Sequence, residues 1–407
     1  MQTFTNYRGG RGLVLILAFL GVTACSSGSS GSDGQDRIPD ERYTYQQPAE
    51  IGDGWGTAAA SSVGVSEQVL GQLVNALQDG QFPIVDAVAV ARGGQLVLSE
   101  TIRTSTNKAD ERVDNIELDM HVQNSASKSF ASALVGIALD QGLIASTDVT
   151  YTSLFPYPAY ANDDPRKQAM TLEDVLTMRT GLAWNEWDPP YSEPDNQMFE
   201  FYGSQTDLSK GFLDLPMATD PGSEFGYATP ASVSLGQAIE NVAPLSLIDY
   251  GGVNFLLPLG ISRVEVERTP TGLPDLGRGL FLTTRDLLKL GQLYLDHGEW
   301  NGERVVSADW VARSTMPHVE IGWVNPDNME WELDGYGYQW WIGAFDLDGT
   351  RVETYAAWGF GEQWLMVVPA LDLVVAVNSH GEKGDDDEAN QALGLIKQIL
   401  LATDRDN

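Results

Sequence analysis

The chain has 407 residues, of which 43% are hydrophobic, so it is long enough to bury a substantial core. Its 57 acidic and 24 basic residues give a formal net charge of −33. So negative a surface argues against nucleic acid as a partner and against binding of anionic lipid through the folded surface, because phosphates would be repelled. The composition therefore predicts one large or two closely packed globular domains with neither of these partners. It leaves the oligomeric state open.

The first 25 residues predict an export signal. Two arginines precede a short apolar run, residues 13–20, which is too short to form a stable membrane span. Residues 22–25, Val-Thr-Ala-Cys, resemble the lipobox of bacterial lipoproteins, so we expect residues 1–24 to be removed and Cys25 to be lipidated. An ordinary signal peptide with an incidental cysteine is the alternative. Ser26 after the cysteine favours the outer membrane, facing the periplasm, and we expect no other attachment to a membrane.

Residues 25–55 are mostly polar and are predicted to form a flexible tether, which leaves residues 56–404 as the globular domain. Within that domain, Gly93-Gly94 predicts a hairpin between strands 84–92 and 95–102. A capped helix starts after Ser66. Residues 183–230 look irregular. Further helices are expected at 171–181, 231–243, 246–257, 284–297 and 388–402, and further strands at 336–342, 364–368 and 373–378.

This order of elements places strands at both ends of the domain and a long helical stretch between them. It predicts an α/β (α+β) fold in which an antiparallel sheet is built from both chain ends, is flanked by helices and carries an inserted, mostly helical lobe. A groove between the sheet and the inserted lobe is where a site is expected.

One stretch carries the main chemical signal. Ser125 is followed three residues later by Lys128 and then by a strongly apolar run, so both side chains should project from one face at the start of a buried helix. Burial disfavours an ammonium ion, and a neutral lysine can take the proton of a serine hydroxyl. Ser105 and Lys108 have the same spacing, but no apolar helix follows them. The pattern predicts Ser125 as a nucleophile and Lys128 as its base.

Ser125 and Lys128 are accompanied by a series of further motifs. Together these resemble the serine beta-lactamase and penicillin-binding-protein-like superfamily, and most of all its class C-like branch of esterases, amidases and nylon-oligomer hydrolases. The resemblance covers roughly residues 60–402 and implies a beta-lactamase-like fold and hydrolysis of an ester or amide through an acyl-enzyme. It rests on residues 125–130, 134–138, 141–144, 171–182, 221–236, 258–261, 279–286, 291–295, 336–341 and 358–363.

The resemblance also implies roles for individual residues. Tyr227 matches the tyrosine of the second motif and would pass the serine proton to the leaving group. Ala357-Trp358-Gly359 matches the third motif at a strand edge, where Gly359 and Trp358 would border the substrate. The N–H groups of Ser125 and Phe360 would hold the oxyanion. Several tryptophans are candidate walls of an aromatic acyl pocket, namely Trp184, Trp187, Trp340, Trp341 and Trp358.

Three positions depart from the family pattern. Thr229 stands where Asn or Ser is usual, which affects substrate orientation. Ala357 replaces the usual cation, which argues against beta-lactams and peptide C-termini because both carry a carboxylate. Glu362 stands where Gly is usual and would add negative charge near the site. Two alternatives therefore remain open: a beta-lactamase or D-peptidase, and a catalytically silent binding protein of the same fold.

Other chemistries find little support in the sequence. There is no G-x-S-x-G motif, and none of the four histidines falls in a metal-ligand pattern. We therefore expect a small-molecule ester or amide as substrate, with neither a metal nor an organic cofactor.

Overall fold

The computed structural model describes residues 42–191, 193–321 and 329–405. Cys25 and the predicted signal peptide lie outside these residues. The tether prediction is wrong for its last part, because the folded unit begins at Tyr43. The Tyr43 hydroxyl donates to Glu100 at 2.7 Å, the Tyr45 hydroxyl donates to the carbonyl of Val97 at 2.9 Å, and Trp55 is buried. Aromatic side chains therefore fix this segment onto the sheet.

The described residues contain fourteen strands and ten α-helices. The strands are β1 (Gly56–Thr57), β2 (Val85–Arg92), β3 (Gln95–Thr101), β4 (Met120–Val122), β5 (Glu265–Val266), β6 (Leu280–Thr283), β7 (Glu299–Trp300), β8 (Glu303–Arg304), β9 (Val319–Glu320), β10 (Trp331–Tyr336), β11 (Trp341–Leu347), β12 (Thr350–Gly359), β13 (Gln363–Val368) and β14 (Leu373–Ser379). The helices are α1 (Glu67–Gln78), α2 (Ser127–Asp140), α3 (Leu172–Leu176), α4 (Gln197–Ser204), α5 (Leu208–Leu213), α6 (Thr229–Val242), α7 (Leu247–Gly251), α8 (Thr284–Leu295), α9 (Ala308–Ser314) and α10 (Asp386–Leu401).

Within the described residues, nine strands form the main sheet in the order β1-β3-β2-β14-β13-β12-β11-β10-β9. All neighbours are antiparallel except β1 and β3. β2 from the N-terminal part pairs directly with β14 from the C-terminal part, so both chain ends build one sheet, as the sequence predicts. Every residue of β2, β13 and β14 is buried, which is expected where helices cover both faces of a sheet. Helices α8 and α10 pack on these central strands.

Several element boundaries differ from the predictions. Residues 336–342 were expected to be one strand, but they contain the turn between β10 and β11. Residues 183–230 are not irregular throughout, because α4 and α5 lie there, capped by the side chains of Asn196 and Asp207. Helix α3 ends at Leu176 rather than near Gly181. The helix expected at 246–257 is α7 continued by a π-helical turn, Gly252–Leu256.

The inserted part of the chain runs from α2 to α7 and returns to the main sheet through β6 and α8. Helix α2 is buried over almost its whole length, and α6 packs against it. A buried amide network joins this region to the sheet: Asn378 on β14 donates to Gln123, just before α2, and to Gln363 on β13, at 3.1 and 2.8 Å. None of the helices in the described ranges is both long and apolar enough to span a bilayer.

Candidate active site

Ser125 lies on a single 3₁₀ turn, Asn124–Ala126, that leads directly into α2. Asn124 has a φ of 45°, a left-handed conformation that asparagine tolerates better than most residues. Its side chain accepts a hydrogen bond from Arg112 at 2.7 Å and donates one to the carbonyl of Phe360 at 2.7 Å. The turn that carries the serine is thus tied to the peptide that follows β12.

Gly359 ends β12 against the back of this turn. A Cβ atom at this position would lie 2.2 Å from the carbonyl oxygen of Gln123 and 3.0 Å from the nitrogen of Ser125. Only glycine allows so close an approach of two backbones. The structure therefore brings together the Ser125 nitrogen, Gly359 and Phe360, the three positions that the sequence predicts for the oxyanion-binding region.

The Lys128 amine meets the Ser125 hydroxyl inside the protein. Its Nζ lies 2.9 Å from Ser125 Oγ, 3.0 Å from Thr229 Oγ1 and 2.7 Å from the carbonyl oxygen of Gly277. The side chain is only 1% exposed. Burial lowers the pKa of Lys128 to about 8, against the opposing attraction of Glu186 and Asp275. A neutral amine is therefore accessible near neutral pH, as a base requires.

Tyr227 borders the same cavity as Ser125. Its ring is stacked between Trp187 and Trp341, with ring centroids 5.5 and 5.3 Å away. The Lys128 Nζ lies 5.0 Å from its ring centroid. Burial raises the pKa of Tyr227 well above its ordinary value, while a hydrogen bond with Ser125 acts in the opposite direction. The hydroxyl therefore stays protonated at neutral pH and can take up and hand on a proton only in a concerted step.

Thr229 does not offer its hydroxyl proton to the cleft, contrary to the expected role in orienting substrate. That hydroxyl donates to the carboxylate of Glu186, a residue that the sequence analysis missed, and accepts from Lys128. Glu186 is 2% exposed and also accepts hydrogen bonds from the Thr229 N–H, from Tyr191 Oη at 2.6 Å and from Trp184 Nε1 at 3.0 Å. A buried carboxylate is thus linked to the lysine through one hydroxyl.

Glu362 is less negative than the sequence suggests. Its side chain is buried, and burial raises its pKa to about 8, although Trp364 Nε1 donates to it at 2.8 Å. At neutral pH the group is mostly protonated, so the expected added negative charge is a wrong prediction. Its φ of 65° explains why glycine would be the easier residue here.

A cavity of about 310 Å³ opens beside Ser125 on the side of Tyr227. Six of its lining residues are aromatic, among them Trp187, Trp341 and Trp358, and the lining also includes Lys383 and Asp385. Of the other two candidate tryptophans, Trp340 is fully buried and Trp184 packs edge-on against Phe201. Three of the five predicted wall residues therefore border the cleft.

A second cavity, of about 510 Å³, also borders Ser125, and Thr229 and Phe360 line it. Arg112 and Arg278 also line it, but both contact the same carboxylate, Glu267, at 3.3 and 2.7 Å. Arg278 also lies 3.6 Å from Asp275, so the two guanidinium groups face two carboxylates of the protein. Ala357 is buried, so no side-chain cation stands at the third motif itself.

The second serine–lysine pair lacks the buried helix and the enclosed amine, although Lys108 lines the second cavity. Ser105 and Lys108 are both exposed and lie in a segment of bends and turns that precedes a short 3₁₀ helix. Within the residues the structure describes, no cluster of three or more His, Cys, Asp or Glu side chains is arranged to hold a metal ion.

A model of the beta-lactamase family matches residues 71–398. The chain belongs to the beta-lactamase family. Membership of this family makes it a hydrolase with the beta-lactamase fold, and it confirms the fold class that the motifs predict.

Among curated relatives, this beta-lactamase-family chain is 24% identical over 336 residues to a 6-aminohexanoate-dimer hydrolase of Paenarthrobacter ureafaciens, with 79% of this chain and 78% of the relative covered. Two solved structures share its fold. A penicillin-binding protein homologue from Caulobacter crescentus has a TM-score of 0.60, 14% identity and coverage of 82% and 96%. A family VIII carboxylesterase has a TM-score of 0.55, 15% identity and coverage of 81% and 96%.

Proposed function

We propose that the chain is a serine hydrolase that cleaves an ester or amide bond through an acyl-enzyme. Ser125 Oγ attacks the carbonyl carbon, and neutral Lys128 takes its proton. The proton then passes through Tyr227 to the leaving group, and water releases the acyl group from Ser125. The observation that carries this proposal is the buried Lys128 amine, 2.9 Å from Ser125 Oγ, with a pKa lowered to about 8.

The oxyanion that forms during attack needs donors in place before the reaction. The Ser125 N–H lies at the start of a helix, where backbone N–H groups lack an intrahelical partner. The Phe360 peptide is held nearby by Asn124. We assign these two N–H groups to the oxyanion.

The two cavities allow the two parts of the substrate, the acyl group and the leaving group, to bind in different places. Tyr227 borders the aromatic cavity and Thr229 the polar one. Because Tyr227 would protonate the leaving group, we place the leaving group in the aromatic cavity and the acyl group in the polar cavity. This reverses the expectation of an aromatic acyl pocket. The relative named as a 6-aminohexanoate-dimer hydrolase and the structure named as a family VIII carboxylesterase support an ester or amide substrate.

The experiment that tests the nucleophile is labelling with a fluorophosphonate, followed by peptide mass spectrometry. The wild-type chain should be modified on Ser125, and Ser125→Ala should abolish labelling. Ser105→Ala is the matched control, because it removes the serine of the second S-x-x-K and should leave labelling unchanged. Labelling that persists in Ser125→Ala contradicts the proposal. Failure of the wild type to react with fluorophosphonates and with activated esters supports a silent binding protein.

If the chain is a beta-lactamase or a D-peptidase, a positively charged side chain in the site should bind the carboxylate of the substrate. The arginines in the polar cavity are paired with Glu267, so we expect p-nitrophenyl esters to be hydrolysed with much higher kcat/KM than nitrocefin. Nitrocefin turnover comparable to ester turnover would establish the alternative.

We also propose that the chain is a lipoprotein of the bacterial cell envelope, anchored through Cys25. Its lipobox-like residues 22–25 support this. Expression with an alkyne fatty acid should label the wild-type chain in the membrane fraction. Cys25→Ala should lose both the label and the membrane association, and retention of both by this variant contradicts the proposal.

A further inference from the structure

The three partners of the Lys128 amine differ in what they can do. The Gly277 carbonyl can only accept a hydrogen bond, whereas the hydroxyls of Ser125 and Thr229 can donate or accept. A neutral amine has two N–H bonds and one lone pair. The lone pair must face Ser125 if the lysine is to take the serine proton. Both N–H bonds must then go to Gly277 and Thr229, and Thr229 must accept rather than donate.

Glu186 supplies the condition for that arrangement. An ionised carboxylate is only an acceptor, and the Thr229 hydroxyl has a single proton, which it donates to Glu186. The lone pairs of Thr229 then face Lys128. The carboxylate cannot easily turn away, because the Thr229 N–H, Tyr191 and Trp184 hold it from other directions. The bond directions are therefore fixed from Glu186 through Thr229 to Lys128.

We propose that Glu186 is a positioning residue that acts through Thr229 and aims the lone pair of neutral Lys128 at Ser125. The inference rests on the proposed function and adds a residue to it. No proton is transferred to Glu186. Without the carboxylate, the Thr229 proton can turn toward Lys128 and occupy the lone pair. Lys128 would then donate to Ser125 instead of accepting from it, and the attack would be slowed.

Glu186 also has an electrostatic effect whose sign can be stated. Its negative charge opposes the effect of burial and raises the pKa of Lys128. Lys128 must be neutral to act, so the acylation rate should rise with pH as the lysine loses its proton and then level off. This rising limb of the pH profile should be centred near pH 8. Replacing Glu186 by glutamine removes the charge, so the limb should move to lower pH. Replacing Thr229 leaves the charge in place, so the limb should stay close to its original position.

The test is a double-mutant cycle on the rate of acylation by a p-nitrophenyl ester, measured from pH 5 to 10. At the high-pH plateau we expect losses of about tenfold for Glu186→Gln and about 30-fold for Thr229→Val, the range expected when one buried hydrogen bond is lost. At that plateau, where Lys128 is neutral in every variant, the double variant should be no slower than Thr229→Val, because the remaining effect of Glu186 passes through that hydroxyl. Thr229→Ser keeps the hydroxyl and should recover most of the loss.

Multiplicative losses in the double variant would overturn the inference, because they would mean that Glu186 acts independently of Thr229. The inference would also be overturned if Glu186→Gln or Thr229→Val were acylated at the wild-type rate on the high-pH plateau. Failure of the proposed function looks different, since the wild type itself would then not be acylated on Ser125. Thermal melts check folding, and if Glu186→Gln does not fold, the comparison of Thr229→Val with Thr229→Ser still decides whether the hydroxyl is required.

Discussion

Ser125–Lys128 and Ser105–Lys108 have the same residue types at the same spacing, but they differ in burial and in the partners of the lysine amine. Ser125 starts a buried helix, and Lys128 is enclosed by three oxygen atoms. Ser105 and Lys108 lie on exposed turns, where water solvates the ammonium ion. The comparison teaches that desolvation and fixed hydrogen-bond partners, rather than spacing, distinguish the lysine that we propose as the base.

The largest effect should come from removing the two lysines in turn. Lys128→Met keeps an unbranched apolar chain in the buried site but removes the base, so kcat/KM for a p-nitrophenyl ester should fall about 10³-fold. Lys108→Met should cost far less, because Lys108 is exposed at the second cavity, whereas the amine that meets Ser125 Oγ belongs to Lys128. Comparable losses for the two variants would break the distinction between the segments. Circular dichroism checks that both variants fold.

A smaller loss is expected when the surroundings of Ser125 are changed but its motif is kept. In Gly359→Ala the new methyl group would meet the carbonyl of Gln123 and displace the turn, so kcat/KM should fall about 100-fold with Ser125 and Lys128 both present. Gly394→Ala is the matched control, because a Cβ atom there meets no neighbour within 4 Å in helix α10. Full activity in Gly359→Ala would show that the motif alone suffices.

Sequence patterns singled out Ser125, Lys128 and Tyr227 as candidates because each is a side chain in a local motif. They also predicted the sheet built from both chain ends, since short apolar runs bounded by turn residues indicate buried strands and helical spacing indicates helices. Glu186 escaped detection because it lies 43 residues before Thr229, in a loop without periodicity, and only the fold brings the two together. Gly277 contributes a backbone carbonyl, which leaves no side-chain signal.

The charge of Glu362 was mispredicted for a related reason. A formal charge read from sequence assumes a solvated side chain, whereas the buried environment of Glu362 favours its neutral form. Burial, which lowers the pKa of Lys128 and so favours its neutral amine, makes Glu362 a weaker acid. Burial thus acts in the same direction, toward neutrality, on groups of opposite charge.

The smallest predicted effect is a change in thermal stability. It tests whether burial keeps the Glu362 side chain neutral. Because the pKa of Glu362 is raised to about 8 in the folded state, its stabilising contribution is fully present below the unfolded pKa and is lost as pH rises through 8. Glutamine cannot ionise. The Tm of Glu362→Gln should therefore be close to that of the wild type at pH 5 and exceed it increasingly toward pH 9.

Glu303→Gln is the control for this series, because Glu303 is exposed on β8 and its replacement should shift Tm by a similar amount at every pH. Differential scanning calorimetry of the three proteins from pH 5 to 9 makes the comparison. A Tm difference between Glu362→Gln and the wild type that does not change with pH would mean that Glu362 is ionised throughout. The cleft beside Trp358 would then carry the negative charge that its burial argues against, and a site with a buried anion beside Phe360 would oppose oxyanion formation.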